Sequence, residues 1–261
     1  MRDMNLPKVI VIAGPNASGK SSLAIELAKR YNGEILSADS RQVYKGFDLC
    51  SGKVTKEEME IIPHHMINIC NVGDDYSVSE YQKAVYELIP QIVSRGHIPL
   101  LVGGTGLYIS SVVYGYQFEK ELQDPEFRKE LEEKSVEELQ KMLPREALEY
   151  FNGNRSDLYN KRRLIRVLER LRSGEKLEQR NQPIFNTLQL GVRWKKEILH
   201  QRIEERLRDR LDKGMVEEVR NYLNDGFPPD ELYRLGLEYR YISRYVEGEY
   251  ASFDEFYQDL L

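Results

Sequence analysis

Apolar and polar positions alternate along this chain in two rhythms. Val9 to Ala13 form an apolar run, and Leu23, Ala24, Leu27 and Ala28 follow at helical spacing, so a strand over 8–13 and a helix over 20–31 are predicted. Glu34-Ile35-Leu36-Ser37-Ala38 reads as a second short strand ending at Asp39. A helix over 77–94 carries Val78, Tyr81, Val85, Leu88, Ile89 and Ile92 on one face. His97–Val102 then reads as a buried strand that runs into Gly103-Gly104-Thr105-Gly106. Strands alternating with helices predict a parallel sheet with right-handed crossovers, whose ligands lie beyond the carboxyl ends of the strands. From about 120 to 225 the pattern is helical, except for Thr187–Val192, which is expected to rejoin the sheet. The predicted organisation is therefore a core of 1–118 and 187–261 with an inserted helical lobe, 119–186, over the crevice. Residues 197–223 read as one helix with Ile198, Ile203, Leu207, Leu211, Val216, Val219 and Leu223 apolar, broken by Gly226-Phe227-Pro228-Pro229.

The turn between the first strand and the first helix is Gly14-Pro15-Asn16-Ala17-Ser18-Gly19-Lys20-Ser21. It fits G-x-x-x-x-G-K-[ST] in the strand–loop–helix context that phosphate binding requires. Gly14 and Gly19 let the backbone curl so that successive N–H groups converge, and the helix opening near Lys20 adds the positive end of its dipole. Lys20 brings a full charge, and the Ser21 hydroxyl is suited to ligate Mg²⁺. The alternative is an ordinary glycine-rich turn that matches by chance. The expected fold is α/β: a P-loop NTPase-like parallel sheet flanked by helices, with an inserted all-helical lobe. Asp39 and Thr105 also lie just past predicted strand ends, so three polar motifs converge on one crevice. Kinases, hydrolases and switches share the loop, so the motif alone leaves the reaction open.

Composition narrows the setting. With 41% hydrophobic and 31% charged residues over 261 positions, the chain reads as a soluble globular protein larger than one average domain. No apolar run approaches the roughly 18–20 residues of a membrane span, and residues 1–7 are too short and polar for a signal peptide. Cys50 and Cys70 offer neither a disulfide framework nor metal-ligand spacing, so a reducing cytoplasm is the expected compartment. A net charge of −5 argues against general affinity for nucleic acid. Charge is uneven, however: residues 119–149 are largely acidic, whereas 161–172 reads Lys-Arg-Arg-Leu-Ile-Arg-Val-Leu-Glu-Arg-Leu-Arg. A basic stripe on an acidic protein predicts a local anionic partner.

Three further motifs follow the phosphate loop in order: Ser37-Ala38-Asp39-Ser40-Arg41-Gln42-Val43-Tyr44, then Pro63-His64-His65, then Gly103-Gly104-Thr105-Gly106-Leu107-Tyr108. With them the chain resembles the tRNA dimethylallyltransferases, also called tRNA isopentenyltransferases. Arg163–Glu169, Arg202–Val219 and Leu235–Tyr239 are similar too, so the resemblance covers nearly the whole chain. The loop is generic; the D-S-x-Q-V-Y and G-G-T-G-L-Y pair with P-H-H between is specific. The resemblance implies transfer of a dimethylallyl group from dimethylallyl diphosphate to N6 of an adenosine beside the anticodon, with diphosphate leaving. The implied partners are the tRNA anticodon stem-loop and dimethylallyl diphosphate, the implied cofactor is Mg²⁺, and a monomer is expected. Residues 14–21 would then hold the diphosphate rather than ATP.

That chemistry asks for cations and N–H donors at the diphosphate, where charge builds on the bridging oxygen. Lys20, Ser21 with Mg²⁺ and the loop backbone supply them, and by resemblance Arg206 joins. Arg202, Arg206 and Arg210 share one face at i, i+4 spacing; the alternative is a solvated stripe paired with Glu205 and Asp209. Adenine N6 is a weak nucleophile, so a carboxylate must orient it and take its proton. Asp39 is the candidate base, with a helix cap or an outer contact to Mg²⁺ as the alternatives. Thr105 either hydrogen-bonds substrate in the same region or caps the next helix. The resemblance makes Asp39, Ser40, Arg41, Gln42 and Thr105 contacts to tRNA near the target base. It does the same for Arg128, which by itself reads as a surface ion pair. Arg162, Arg166 and Arg170, with Arg163 adjacent, either solvate a helix or contact phosphates of the tRNA stem. The target base would be extruded from its stack to reach the crevice. His64 and His65, without a cysteine or carboxylate triad nearby, read as structural.

The chain departs from the family at Asn16, where threonine is usual, with little expected consequence for a site built from backbone N–H groups. The family pattern also continues past Leu261 with a basic, aromatic helix, which bears on tRNA affinity more than on the diphosphate site. Three rival readings are an adenylate isopentenyltransferase, a small-molecule kinase and a non-catalytic RNA-binding module. The arginine-bearing lobe argues against the first, the paired motifs against the second, and Lys20, Ser21, Asp39 and Thr105 together against the third.

Overall fold

The computed structural model describes residues 6–118, 124–151, 155–174, 177 and 181–261. Its first half alternates as expected: β1 (Lys8–Ala13), α1 (Lys20–Tyr31), β2 (Gly33–Ser37), α2 (Lys56–Ile61), β3 (His64–His65), α3 (Val78–Ser94), β4 (Ile98–Gly103) and α4 (Gly106–Tyr114). Next come α5 (Pro125–Glu133), α6 (Val136–Met142), α7 (Arg145–Tyr150), a 3₁₀ turn at Arg155–Tyr159 and α8 (Lys161–Arg172). The chain closes with β5 (Asn186–Gly191), α9 (Lys196–Asp212), α10 (Met215–Asn224), α11 (Pro229–Leu235), α12 (Leu237–Val246) and α13 (Phe253–Leu260).

The strands form one parallel sheet in the order β3-β2-β4-β1-β5. Ala13 stands opposite both Gly103 and Gly191, and Ser37 opposite Val102, so β1, β2, β4 and β5 end at one level. Alternate side chains feed two layers, which is why the central strands read as nearly continuous apolar runs. Val9, Val11, Leu36 and Leu101 pack under α3 and α4, while Ile12, Ile35, Leu100 and Val102 pack against α1. A third core joins Phe47 and Cys50 to α9–α13 through Leu207, Met215, Val219, Leu232, Tyr239, Ile242 and Phe256. Thr187–Val192 does return to the sheet, as the edge strand beside β1.

Two details differ from expectation. The single helix expected over 197–223 is two, because Gly214 takes the left-handed conformation (φ 97°) that ends α9 and starts α10. Ile198, expected on its apolar face, is 38% exposed because the buried side of α9 begins further along, at Leu207. The chain divides into two compact units, Met1–Gly115 with Pro183–Leu261, and Tyr116–Gln182. The expected lobe start at 119 lies outside the described residues. At its other end Phe185 belongs to the sheet unit, packed edge-on against Tyr86 in the core under α3. The smaller unit has its own core, in which Leu131, Leu139, Ala147 and Phe151 meet Leu164, Ile165, Val167 and Leu168 of α8. Among the described residues no helix is long and apolar enough to cross a membrane.

Candidate active site

The phosphate loop connects β1 to α1 at the carboxyl end of the sheet. Helix α1 opens at Lys20, so the free amides of its first turn stand in the loop. Lys20 Nζ donates to the Pro15 carbonyl at 2.7 Å. Two side chains from beyond β5 hold the outer carbonyls: Trp194 Nε1 donates to Ser18 (2.8 Å) and Arg202 Nε to Ala17 (2.8 Å). The Arg202 guanidinium also stacks on Trp194, 5.1 Å from the ring centre. The Ser18 hydroxyl is buried and has no partner among the described residues.

The ends of β2 and β4 are stitched together beside this loop. Thr105 N donates to the Ala38 carbonyl (3.1 Å), and Ser40 N donates to Thr105 Oγ1 (3.0 Å). Close approach demands Gly103, where a Cβ would collide with the Ala38 carbonyl. Thr105 occupies the N-cap position of α4, yet its side chain makes no capping bond. Its hydroxyl faces Ser40 instead, at 3.3 Å from Oγ. Asp39 accepts the Arg41 amide on Oδ1 at 2.9 Å in a local side-chain turn. Burial lowers the Lys20 pKa; the nearby Asp39 carboxylate opposes that shift and Arg206 adds to it.

A cavity of about 450 Å³ opens in front of the loop, lined by Lys20, Ser21, Gly52, Lys53, Arg202 and Arg206 among others. Arg206 Nη2 donates to the Gly52 carbonyl at 2.8 Å. Desolvation, and after it the charge of Arg210, lowers the Arg206 pKa against the pull of Asp39. The arginine face of α9 is therefore not the salt-bridge stripe weighed above. Asp209 pairs with Lys213 and Glu204 with Arg208, while Arg202, Arg206 and Arg210 all turn to backbone carbonyls. Gln42 is also engaged: Oε1 accepts the Ser37 hydroxyl (2.8 Å) and Nε2 donates to Gly52 O (3.2 Å). Arg41 is half-buried beside Gly236.

Comparison with known proteins fits this arrangement. The family described as IPP transferase matches residues 42–261. A tRNA dimethylallyltransferase 2 from Shewanella sediminis is 39% identical over 100% of this chain and 85% of its own length. The chain belongs to the IPP transferase family. Another relative, a tRNA dimethylallyltransferase 1 from Geotalea uraniireducens, is 39% identical over 95% of this chain and 81% of its own. Among solved structures, a tRNA isopentenylpyrophosphate transferase from Bacillus halodurans superposes with a TM-score of 0.70 at 30% identity, over 97% of this chain and 81% of that one. A eukaryotic dimethylallyltransferase described as acting on tRNA gives 0.80 at 28%, over 97% and 66%. The family match begins after the loop and Asp39, both of which fall within the Shewanella alignment.

In this IPP transferase chain the smaller unit holds the other predicted arginines. Arg128 pairs with Glu132 (3.2 Å) and Glu169 (3.3 Å), and Arg163 pairs with Asp157. Arg162 is exposed on α8, whereas Arg166 and Arg170 are half-buried and engaged. The expected uniform stripe is thus graded, because the helix buries Leu164, Ile165, Val167 and Leu168 and draws the nearer arginines down with them.

His64 and His65 lie on β3, with His65 Nε2 2.6 Å from Glu34. Sequence reasoning missed Trp194, Gly52 and Lys53. The only tryptophan of the chain was a fair signal for the first. Gly52 and Lys53 carry none, since their role comes from packing against α9.

Proposed function

We propose that this chain transfers the dimethylallyl group of dimethylallyl diphosphate to N6 of an adenosine beside the tRNA anticodon. The observation that carries the reading is a phosphate loop beside the stitched ends of β2 and β4, where Asp39 spends only Oδ1 on its own backbone. The bond between allyl C1 and the bridging oxygen breaks, with its electron pair leaving on diphosphate. The new bond forms between C1 and N6, and the N6 proton passes to Asp39. Lys20, Arg206 and the loop amides meet the charge that grows on the diphosphate, already in place before it appears. Thr105 and Ser40 orient the acceptor beside Asp39.

Ser21, in the first turn of α1 and on the cavity wall, suits Mg²⁺, which takes few protein ligands and completes its shell with phosphate oxygens and water. Bound there, the ion supplies charge neutralisation to the leaving diphosphate. Ser40, Arg41 and Gln42 contact the RNA near the target base, while Arg128, Arg162, Arg163 and Arg166 meet backbone phosphates. For Arg128 and Arg163 that contact exchanges an ion pair for a phosphate. The protein works as a monomer in the cytoplasm.

The test is transfer from labelled dimethylallyl diphosphate with Mg²⁺, offered unmodified tRNA and AMP in parallel. Transfer to tRNA alone is expected. Transfer to AMP would make it an adenylate isopentenyltransferase, and ATP turnover without prenyl transfer would make it a kinase.

A further inference from the structure

One wall of the cavity comes from a turn, residues 46–53, that carries no motif of its own. Glu218, in the first turn of α10, grips it. One carboxylate oxygen accepts the amides of Asp48 (2.7 Å) and Leu49 (2.9 Å), and the other accepts that of Cys50 (2.8 Å). The carbonyls of the same turn meet the arginines of α9. Leu49 and Cys50 accept from Arg210 Nη1 at 3.2 and 3.1 Å, and Gly52 accepts from Arg206 Nη2 at 2.8 Å. Amides thus run into a carboxylate and carbonyls into guanidiniums, with the turn held between two helices. Glycine suits this place: its φ is +58°, and a Cβ would push the Arg206 guanidinium from where it stands. Glu218 is half-buried and is not among the residues that line the cavity.

We propose that Glu218 is a positioning residue for the diphosphate site, acting through the 46–53 turn and the Gly52 carbonyl to set where the Arg206 guanidinium stands. The inference rests on the reading of Arg206 as a diphosphate ligand. Charge-assisted bonds to three consecutive amides fix the turn more firmly than neutral ones would. Arg206 carries five N–H donors in a rigid fork, so anchoring one of them aims the rest. Without that anchor a long side chain must be ordered anew at each binding event.

The test compares wild type, E218Q, R206A and the double variant for binding of inorganic diphosphate with Mg²⁺, and for transfer from dimethylallyl diphosphate. E218Q keeps the side-chain volume but sets an NH₂ group against a backbone amide. It is expected to weaken diphosphate binding about tenfold and to raise KM by a similar factor while kcat changes less. In the R206A background the same substitution should cost less than about twofold, since residues that act through one another are not additive. E217Q, one residue away in a surface pair with Arg220, leaves all values unchanged. Should E218Q melt too low to assay, E218D keeps the charge at shorter reach and should show an intermediate loss. Unchanged diphosphate affinity in the Glu218 variants, or a full multiplicative loss in the R206A background, overturns the proposal. If the coupling appears while wild type transfers nothing to tRNA, the reaction reading falls and the positioning role stands.

Discussion

Strand β2 has an acidic residue near each end, and the two have opposite surroundings. Glu34, at the start, is buried and surrounded: Arg95 donates from Nε (2.9 Å) and Nη2 (2.7 Å), and rings of His65 and His97 stand 2.6 Å away. Arg95 above all holds its pKa down, to about 2. Asp39, just past the other end, receives one backbone amide, and its charge opposes the lowering of the Lys20 pKa. Partner count, not residue type, separates the two: Glu34 is bound into the fold, whereas Asp39 makes one local bond, as its proposed role as base requires. An acid with both oxygens fully subscribed cannot take a proton from an amine. One with a single local bond can.

The largest effect expected from breaking this contrast is at Asp39. Asp39→Ala should slow transfer by about 10²–10⁴, the usual worth of a general base, with diphosphate binding nearly intact. Survival of transfer within about tenfold, roughly 1.4 kcal/mol of barrier, would remove Asp39 from the base role. Lys20→Met takes away the loop cation and should cost kcat about 10²–10³, as for loss of one donor to a developing anion. Single-turnover rates would separate that loss from slower product release.

At the other end, Glu34→Gln should leave transfer per folded molecule unchanged and lower unfolding free energy by about 2 kcal/mol. That sits below the full cost of breaking a buried pair, because Arg95 is half in solvent. The pH dependence sharpens the point. A depressed carboxyl stabilises fully above its unfolded value near 4.5, and the contribution is lost as pH falls toward about 2. Urea unfolding across that window should therefore decline more steeply in wild type than in E34Q; parallel curves would refute the assignment.

The smallest effect is expected in the lobe, where the same contrast separates engaged Arg128 from exposed Arg162. Arg162→Ala should weaken tRNA binding by about 1 kcal/mol or less and reduce the slope of log affinity against log salt by about one unit. An unchanged slope would mark Arg162 as a solvating residue only.

Much of the site was legible before the structure. The loop, Asp39 and Thr105 follow strands whose apolar runs mark where each ends, so their convergence could be read from the chain. Thr105 kept two readings because threonine both caps helices and contacts ligands; its side chain makes no capping bond and its hydroxyl faces Ser40, which removes the capping alternative. Spacing put Arg202, Arg206 and Arg210 on one face but left open a solvated stripe paired with Glu205 and Asp209. Carboxylates three or four residues away look nearest on a helical wheel, whereas the actual acceptors are the carbonyls of Ala17, Leu49, Cys50 and Gly52.

What the sequence determined by itself is local: an eight-residue loop whose glycines and helix start set the direction of successive amides, and the alternation of strand and helix that puts strand ends together. These depend on the conformations of neighbouring residues, which their own side chains dictate. Tertiary structure decided the break at Gly214, the capture of the 46–53 turn by Glu218, the burial of Glu34 among two histidines and an arginine, and the grading of the α8 arginines. The Glu218 and Glu34 cases turn on which charge meets which partner across long stretches of chain, and the other two on which faces the packing buries. Only the packing of whole elements brings such groups within reach.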